Sequence, residues 1–182
     1  MAQPNFDPGG FYEFDLSRGA VRAKGGERVF VMSNEVVTAV LQALTKQNDF
    51  ATLRTLGASL ATHASSSLAG KVAESTPEEV IGHASAVLGL YGWGKLSAER
   101  WGDALVVSLS GMSDLDPKQT ATAALLTGLL SKLANSALEC VPVGIEKLIV
   151  VHPSIAKDVA GWVAAGSDLA AVSSQLVAKE GA

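Results

Sequence analysis

The chain is 182 residues long, carries a formal charge of −4 at neutral pH and has a sequence pI near 5.3. No cluster of five or six like charges occurs in it, which argues against the basic surface that a phosphate backbone or an anionic lipid headgroup requires. The length is that of one ordinary domain able to bury a core, and a composition low in aromatics but rich in Ala, Gly, Leu, Ser and Val suits closely packed helices.

Residues 1–10, with two Pro and a Gly pair, read as a flexible arm. Phe11 to Leu16 then alternates as a half-buried strand does, with Tyr12, Phe14 and Leu16 on one face. Ser17-Arg18-Gly19 turns the chain into a short second strand, Ala20 to Ala23. Gly25-Gly26 turns it again into a third, Glu27 to Met32, so the opening is an antiparallel meander. Helical spacing follows. Ser33 stands as an N-cap before a stripe of Val36, Val37, Val40, Leu41 and Leu44. After the break at Asn48-Asp49 a longer helix carries Phe50, Leu53, Gly57, Leu60, Ala61, Ala64 and Leu68. Thr76-Pro77-Glu78-Glu79 has the pattern of a capping box with Pro at the first helical position, and Val80, Ile81, Ala84, Val87, Leu88 and Tyr91 form the apolar face behind it.

Tyr91-Gly92-Trp93-Gly94 ends that helix. Lys95 to Trp101 and Ala104 to Leu109 read as a hairpin about Gly102-Asp103. Asp116-Pro117-Lys118-Gln119 reads as a second capping box, opening a helix through Leu125, Leu126, Leu129, Leu130 and Leu133. A second hairpin, Ala137 to Val143 and Lys147 to Val151, turns at Gly144-Ile145. Two short helices end the chain, Ile155 to Val163 and Asp168 to Ala178. The sum is an α+β domain, an antiparallel sheet of meander and hairpins packed with helices, with a C-terminal helical tail.

The chemistry-bearing residues are sparse. Phosphate loops, dinucleotide fingerprints, nucleophile elbows and zinc-protease motifs are all missing from the sequence. His63 and His83 border apolar stripes and His152 precedes Pro153 at a strand end, positions that ordinary core or loop histidines occupy. The pairs Glu78-Glu79 and Asp114-Asp116 sit where helix N-termini attract negative charge. A single cysteine, Cys140, rules out an internal disulfide and a multi-cysteine zinc cage, and its mid-strand position reads as a small buried apolar side chain. Trp93 between two glycines reads either as a core anchor or as one wall of a pocket.

Several stretches together resemble the four-vinyl reductase domain family, which shares its fold with small subunits of the TRAPP tethering complex. They are Leu56-Gly57-Ala58-Ser59-Leu60-Ala61, Leu88-Gly89-Leu90-Tyr91-Gly92-Trp93-Gly94, Ala124-Leu125-Leu126-Thr127-Gly128-Leu129-Leu130, and Cys140-Val141-Pro142-Val143-Gly144 with the family's Cys-x-x-x-Gly spacing. The resemblance covers residues 11–152 and leaves 153–182 as an extension. It implies a TRAPP-like or ligand-binding fold in which Trp93 takes the place of a pocket tryptophan. Metal-holding members supply a Glu and a second Cys where this chain has Ala137 and Leu148, so the resemblance implies a lost zinc site.

These readings set the expectations. The function is a non-enzymatic regulatory domain binding a small hydrophobic molecule, with no cofactor and no metal. The alternative is a TRAPP-like scaffold that holds protein partners without a ligand. The ligand residues are Trp93, Tyr91, His83, Trp101 and His63. A homodimer forms through helical faces bearing Gly57 and Ala61, or through the tail stripe of Ile155, Val159 and Trp162, unless that tail folds back on its own domain. No apolar run approaches the roughly 18 residues of a membrane span, and Met1 to Pro8 lacks the make-up of a signal peptide. The expected location is the cytoplasm.

Overall fold

A computed structural model describes residues 10–23, 28–67, 76–102, 104–112 and 116–180. The arm before Gly10, the Gly25-Gly26 turn, Glu27, Leu68, Asp103 and Asp114 lie outside them.

The meander consists of β1 (Tyr12–Asp15), β2 (Ala20–Ala23) and β3 (Arg28–Val29), all antiparallel. Its register sets Tyr12 opposite Ala23, and Phe14 opposite Val21, which in turn faces Val29. These residues therefore share one apolar face. Only the Tyr12–Ala23 end of that face meets the body: the Tyr12 hydroxyl donates to the Leu90 carbonyl at 2.6 Å and Ala23 is buried. The expected burial of Phe14 and Leu16 does not occur; they are 61% and 88% exposed. Alternation fixes which side chains share a face, not whether anything lies over it. The third strand is likewise shorter than expected, two paired residues, after which Phe30, Val31 and Met32 run on exposed.

Helix α1 (Asn34–Lys46) follows Ser33, whose side chain makes no cap bond. Leu41 is buried and Val37 and Leu44 pack beside it, while Val36 and Val40 stay about half exposed. Helix α2 (Phe50–Ser67) begins as Asn48 takes a left-handed φ of 56° and Asp49 accepts from the Thr52 N–H at 3.1 Å and its hydroxyl at 2.7 Å. Helix α3 (Pro77–Leu90) opens on the expected capping box. The Glu79 carboxylate accepts the Thr76 N–H at 2.8 Å and Thr76 Oγ1 accepts the Glu79 N–H at 3.3 Å.

The main sheet is antiparallel with the order β4-β5-β7-β6, built from β4 (Lys95–Trp101), β5 (Ala104–Ser110), β6 (Glu139–Gly144) and β7 (Lys147–Val151). Between its hairpins runs α4 (Thr120–Ala134), buried along its whole middle, residues 121–130. This helix starts later than the Asp116 capping box requires. Residues 116–119 form a turn and Gln119 adopts φ 57°. Asp116 caps from farther back, its Oδ2 accepting the Thr122 N–H at 2.8 Å and the Thr122 hydroxyl at 2.9 Å. A buried carboxylate thus meets the positive end of the helix with two donors in hand.

Sheet alternation divides the core in two. Leu96, Val107, Leu109, Cys140 and Leu148 face the core of α1 to α4, and Val106, Val141, Ile149 and Val151 point the other way. The second face is covered by α5 (Pro153–Ala164) and α6 (Leu169–Glu180) through Ile155, Val159, Trp162, Leu169, Val172 and Leu176. The tail stripe is therefore consumed by the chain's own sheet. Gly57 and Ala61 are consumed as well. A Cβ at Gly57 would lie 1.9 Å from the Leu125 carbonyl oxygen, one at Gly128 would lie 1.9 Å from the Arg54 carbonyl oxygen, and Ala61 is fully buried. The close approach these small residues permit is made by α2 and α4 within one chain, so neither expected dimer face is open to a partner.

Candidate functional site at the junction of α3 and β4

Trp93 is placed by the way α3 ends. Tyr91 is the C-cap, Gly92 takes φ 75°, the Gly92 N–H donates to the Gly89 carbonyl at 3.1 Å and the Trp93 N–H to the Leu88 carbonyl at 2.8 Å. This is a Schellman motif, whose glycine supplies the left-handed φ. Gly94, at φ 103°, lies so near β5 that a Cβ there would stand 2.1 Å from the Ser110 carbonyl oxygen. Backbone geometry thus accounts for both glycines, and at Gly94 the space is filled by β5 rather than left for a ligand.

Around this turn the chain collects aromatic rings from three elements. Tyr91 lies 5.5 Å from the His63 ring of α2 and 6.3 Å, edge-on, from Phe11, which packs at 4.9 Å on Tyr12. Trp93, two residues on, is half-buried against the same main core as Tyr91, and His83 lies half-buried on α3 two turns before Tyr91. Trp101 does not join them. It sits on the other face of the sheet in the α5–α6 core, with Lys147 Nζ 5.5 Å from its ring centre. Trp101 was expected among the ligand residues as the end of the strand that follows the turn, but the strand's alternation turns it away. Phe11 and Tyr12, expected only in the meander, also join the cluster. No local pattern announces that, because the contact joins residues some eighty positions apart.

Two open grooves, of about 200 and 390 Å³, lie elsewhere. Both contain Arg54, Glu139 and Pro142. Arg54 donates to Glu139 at 2.6 Å; the smaller groove adds Phe50 and Thr120, the larger Lys157. Neither includes Trp93, Tyr91, His63 or His83, and Arg54 precedes His63 on α2 by two and a half turns, roughly 14 Å. The neighbouring edge of β6 is closed to another strand. Ser131 Oγ accepts the Leu138 N–H at 3.1 Å, Thr127 Oγ1 accepts the Cys140 N–H at 2.9 Å, Pro142 has no N–H, and Gln119 Nε2 donates to the Gly144 carbonyl at 2.6 Å.

Among the described residues no three His, Cys, Asp or Glu side chains come together as metal ligands would. His152 caps α5, its Nδ1 accepting the Ser154 N–H at 3.3 Å. Burial pushes the Cys140 thiol up to about 12, despite the opposing hydrogen bond with Thr127. The neutral thiol is therefore the native form, and at pH 8 on the order of one molecule in ten thousand carries a thiolate there. A thiol reagent is expected to leave native protein unlabelled and to label it fully in denaturant; rapid native labelling would contradict the burial. Because the folded thiol holds its proton more tightly than the unfolded one, this group's contribution is intact below about pH 9 and is lost as pH rises towards 12. The loss approaches about 1.4 kcal/mol per pH unit. Urea unfolding of Cys140→Ala from pH 8 to 10.5 should show a shallower decline than the parent.

The chain is thus a mixed α+β domain, a four-stranded antiparallel sheet with helices on both faces and an aromatic junction at one end. No protein-family model and no curated protein matches the sequence. Among solved structures it is similar to the phenol-responsive sensory domain of the transcription activator PoxR, solved with phenol. The TM-score is 0.57 at 9% sequence identity, over 77% of this chain and 83% of that one. That likeness shows a shared fold. No helix among the described residues is long and apolar enough to cross a membrane.

Proposed function

We propose that this chain is a non-enzymatic regulatory domain of the cytoplasm that binds a small aromatic molecule and works as a homodimer, with the four-vinyl reductase resemblance reflecting a common ligand-binding fold. The observation that carries the reading is the fold shared with a phenol-responsive sensory domain over most of that domain's length. The aromatic junction supports it. Tyr91, Trp93 and His63 supply ring faces and a polar nitrogen, the usual make-up of a small-molecule site, with His83 a further polar contact.

Phenol and small substituted aromatics are the probes, followed by thermal shift and by the fluorescence of Trp93 (the difference between the parent and Trp93→Phe, since Trp101 and Trp162 also emit). Saturable binding is expected in the parent and its loss in Trp93→Ala, with a stability cost well under the full penalty for an emptied core. A cost of about 3–5 kcal/mol, with no probe bound by the parent, would make Trp93 a core plug and leave the protein-holding scaffold as the function.

A further inference from the structure

The surface left without cover runs from the end of the meander into α1. Phe30, Val31 and Met32 are 78%, 75% and 58% exposed, and Val36 and Val40 are 47% and 46% exposed. Three of the five are valines, so at the low end of the aromatic range, on the order of 150 Å² each, they leave roughly 450 Å² of apolar surface open to water. That lies within the range of a monomer's largest patch, which is often functional. It also matches the apolar share of the ~800 Å² that each partner of a standard complex buries.

The charges on α1 say what fits there. Its sequence, Asn34 to Lys46, has one acidic residue, Glu35 at its start, and one basic residue, Lys46 at its end, with no charge between. The two stand three turns apart, so they fall on the same flank of the helix, beside the row of Val36 and Val40. A helix laid antiparallel to an identical one meets the opposite charge at each end. Laid parallel, it would set Glu35 against Glu35 and Lys46 against Lys46.

We propose that α1 packs antiparallel on α1 of a second copy of this chain, about a two-fold axis near Val40. The exposed Phe30–Met32 segment is covered in the same contact. Val40 then lies against the partner's Val40, and Glu35 against the partner's Lys46. Such an interface is self-complementary and closed, which a two-fold dimer requires. The proposal rests on the dimeric part of the functional reading and is independent of the ligand.

Sedimentation equilibrium of the full chain tests it. The parent is expected to dimerise at micromolar concentration, and Val36→Glu with Val40→Glu to weaken association at least a hundredfold while circular dichroism stays unchanged. Glu35→Lys and Lys46→Glu should each weaken it severalfold, and the two together should restore it. Within one helix the two reversals oppose the dipole additively, so recovery reports pairing between copies. As a register check, Val40→Cys should form a disulfide-linked dimer under mild oxidation, with Cys140 too buried to interfere. A parent that stays monomeric overturns both this interface and the dimeric reading. A dimer indifferent to the valine and charge variants overturns this interface alone.

Discussion

Alanine at Gly128 is expected to cost at least about 3–5 kcal/mol, enough to unfold much of the population of a domain of ordinary stability. The new methyl would stand 1.9, 2.6 and 2.8 Å from the carbonyl oxygen, carbonyl carbon and Cα of Arg54. All three are backbone atoms, so no rotamer change relieves the overlap and α2 must move away from α4. Gly57→Ala meets the Leu125 carbonyl oxygen at 1.9 Å and should cost a similar amount. One separation of the helices relieves both overlaps, so the double variant should fall short of the sum of the singles. Gly82 and Gly161 serve as controls. They too lie within helices, but a Cβ at either meets nothing within 4 Å. Alanine there is expected to stabilise by about 0.5–1 kcal/mol through the helix propensity it restores. Urea titration reads all four. A Gly128→Ala midpoint close to the parent's would show that the helices do not meet backbone to backbone.

Ending the chain at residue 152 is expected to abolish folded, soluble protein. Removing α5 and α6 takes away Val159 and Val172, both fully buried, and exposes Val106, Val141, Ile149 and Val151 across one sheet face. At about 1.5–3 kcal/mol for each large apolar side chain returned to water, those four strand residues alone represent roughly 6–12 kcal/mol, the size of a whole domain's stability. The ion pair between Lys179 and Asp158, which ties α6 to α5 at the surface, contributes far less. Val159→Asp in the full chain makes the same point by burying an unpaired charge under the sheet. Soluble expression, dye binding and urea unfolding of the shortened chain are the measurements. A cooperative transition at the parent's midpoint would make the tail an appendage to residues 11–152.

That tail illustrates what the sequence could and could not specify. Its helices were legible from their spacing. The hairpin of Lys95 to Trp101 and Ala104 to Leu109, the second hairpin at Gly144-Ile145, and the capping box at Thr76 were legible too. Each is a local matter: period-two alternation, or side-chain oxygens meeting amides three residues away. The start of α4 was misplaced because its cap, Asp116, reaches across a turn whose left-handed Gln119 no residue type signals.

Contact between elements was decided only by the tertiary structure. The close approach expected at Gly57 is made, but to the α4 backbone at Leu125 and Leu129 of the same chain rather than to another copy. Trp101 was expected among the ligand residues and was turned to the opposite core by its strand parity, while Phe11 and Tyr12 were brought to Tyr91 and Leu90 from far along the chain. A hydrophobic pattern states that a face needs cover and is silent on what supplies it. Burial free energy is non-directional, and any complementary apolar surface satisfies it equally. Which surface does so depends on the packing of the whole chain.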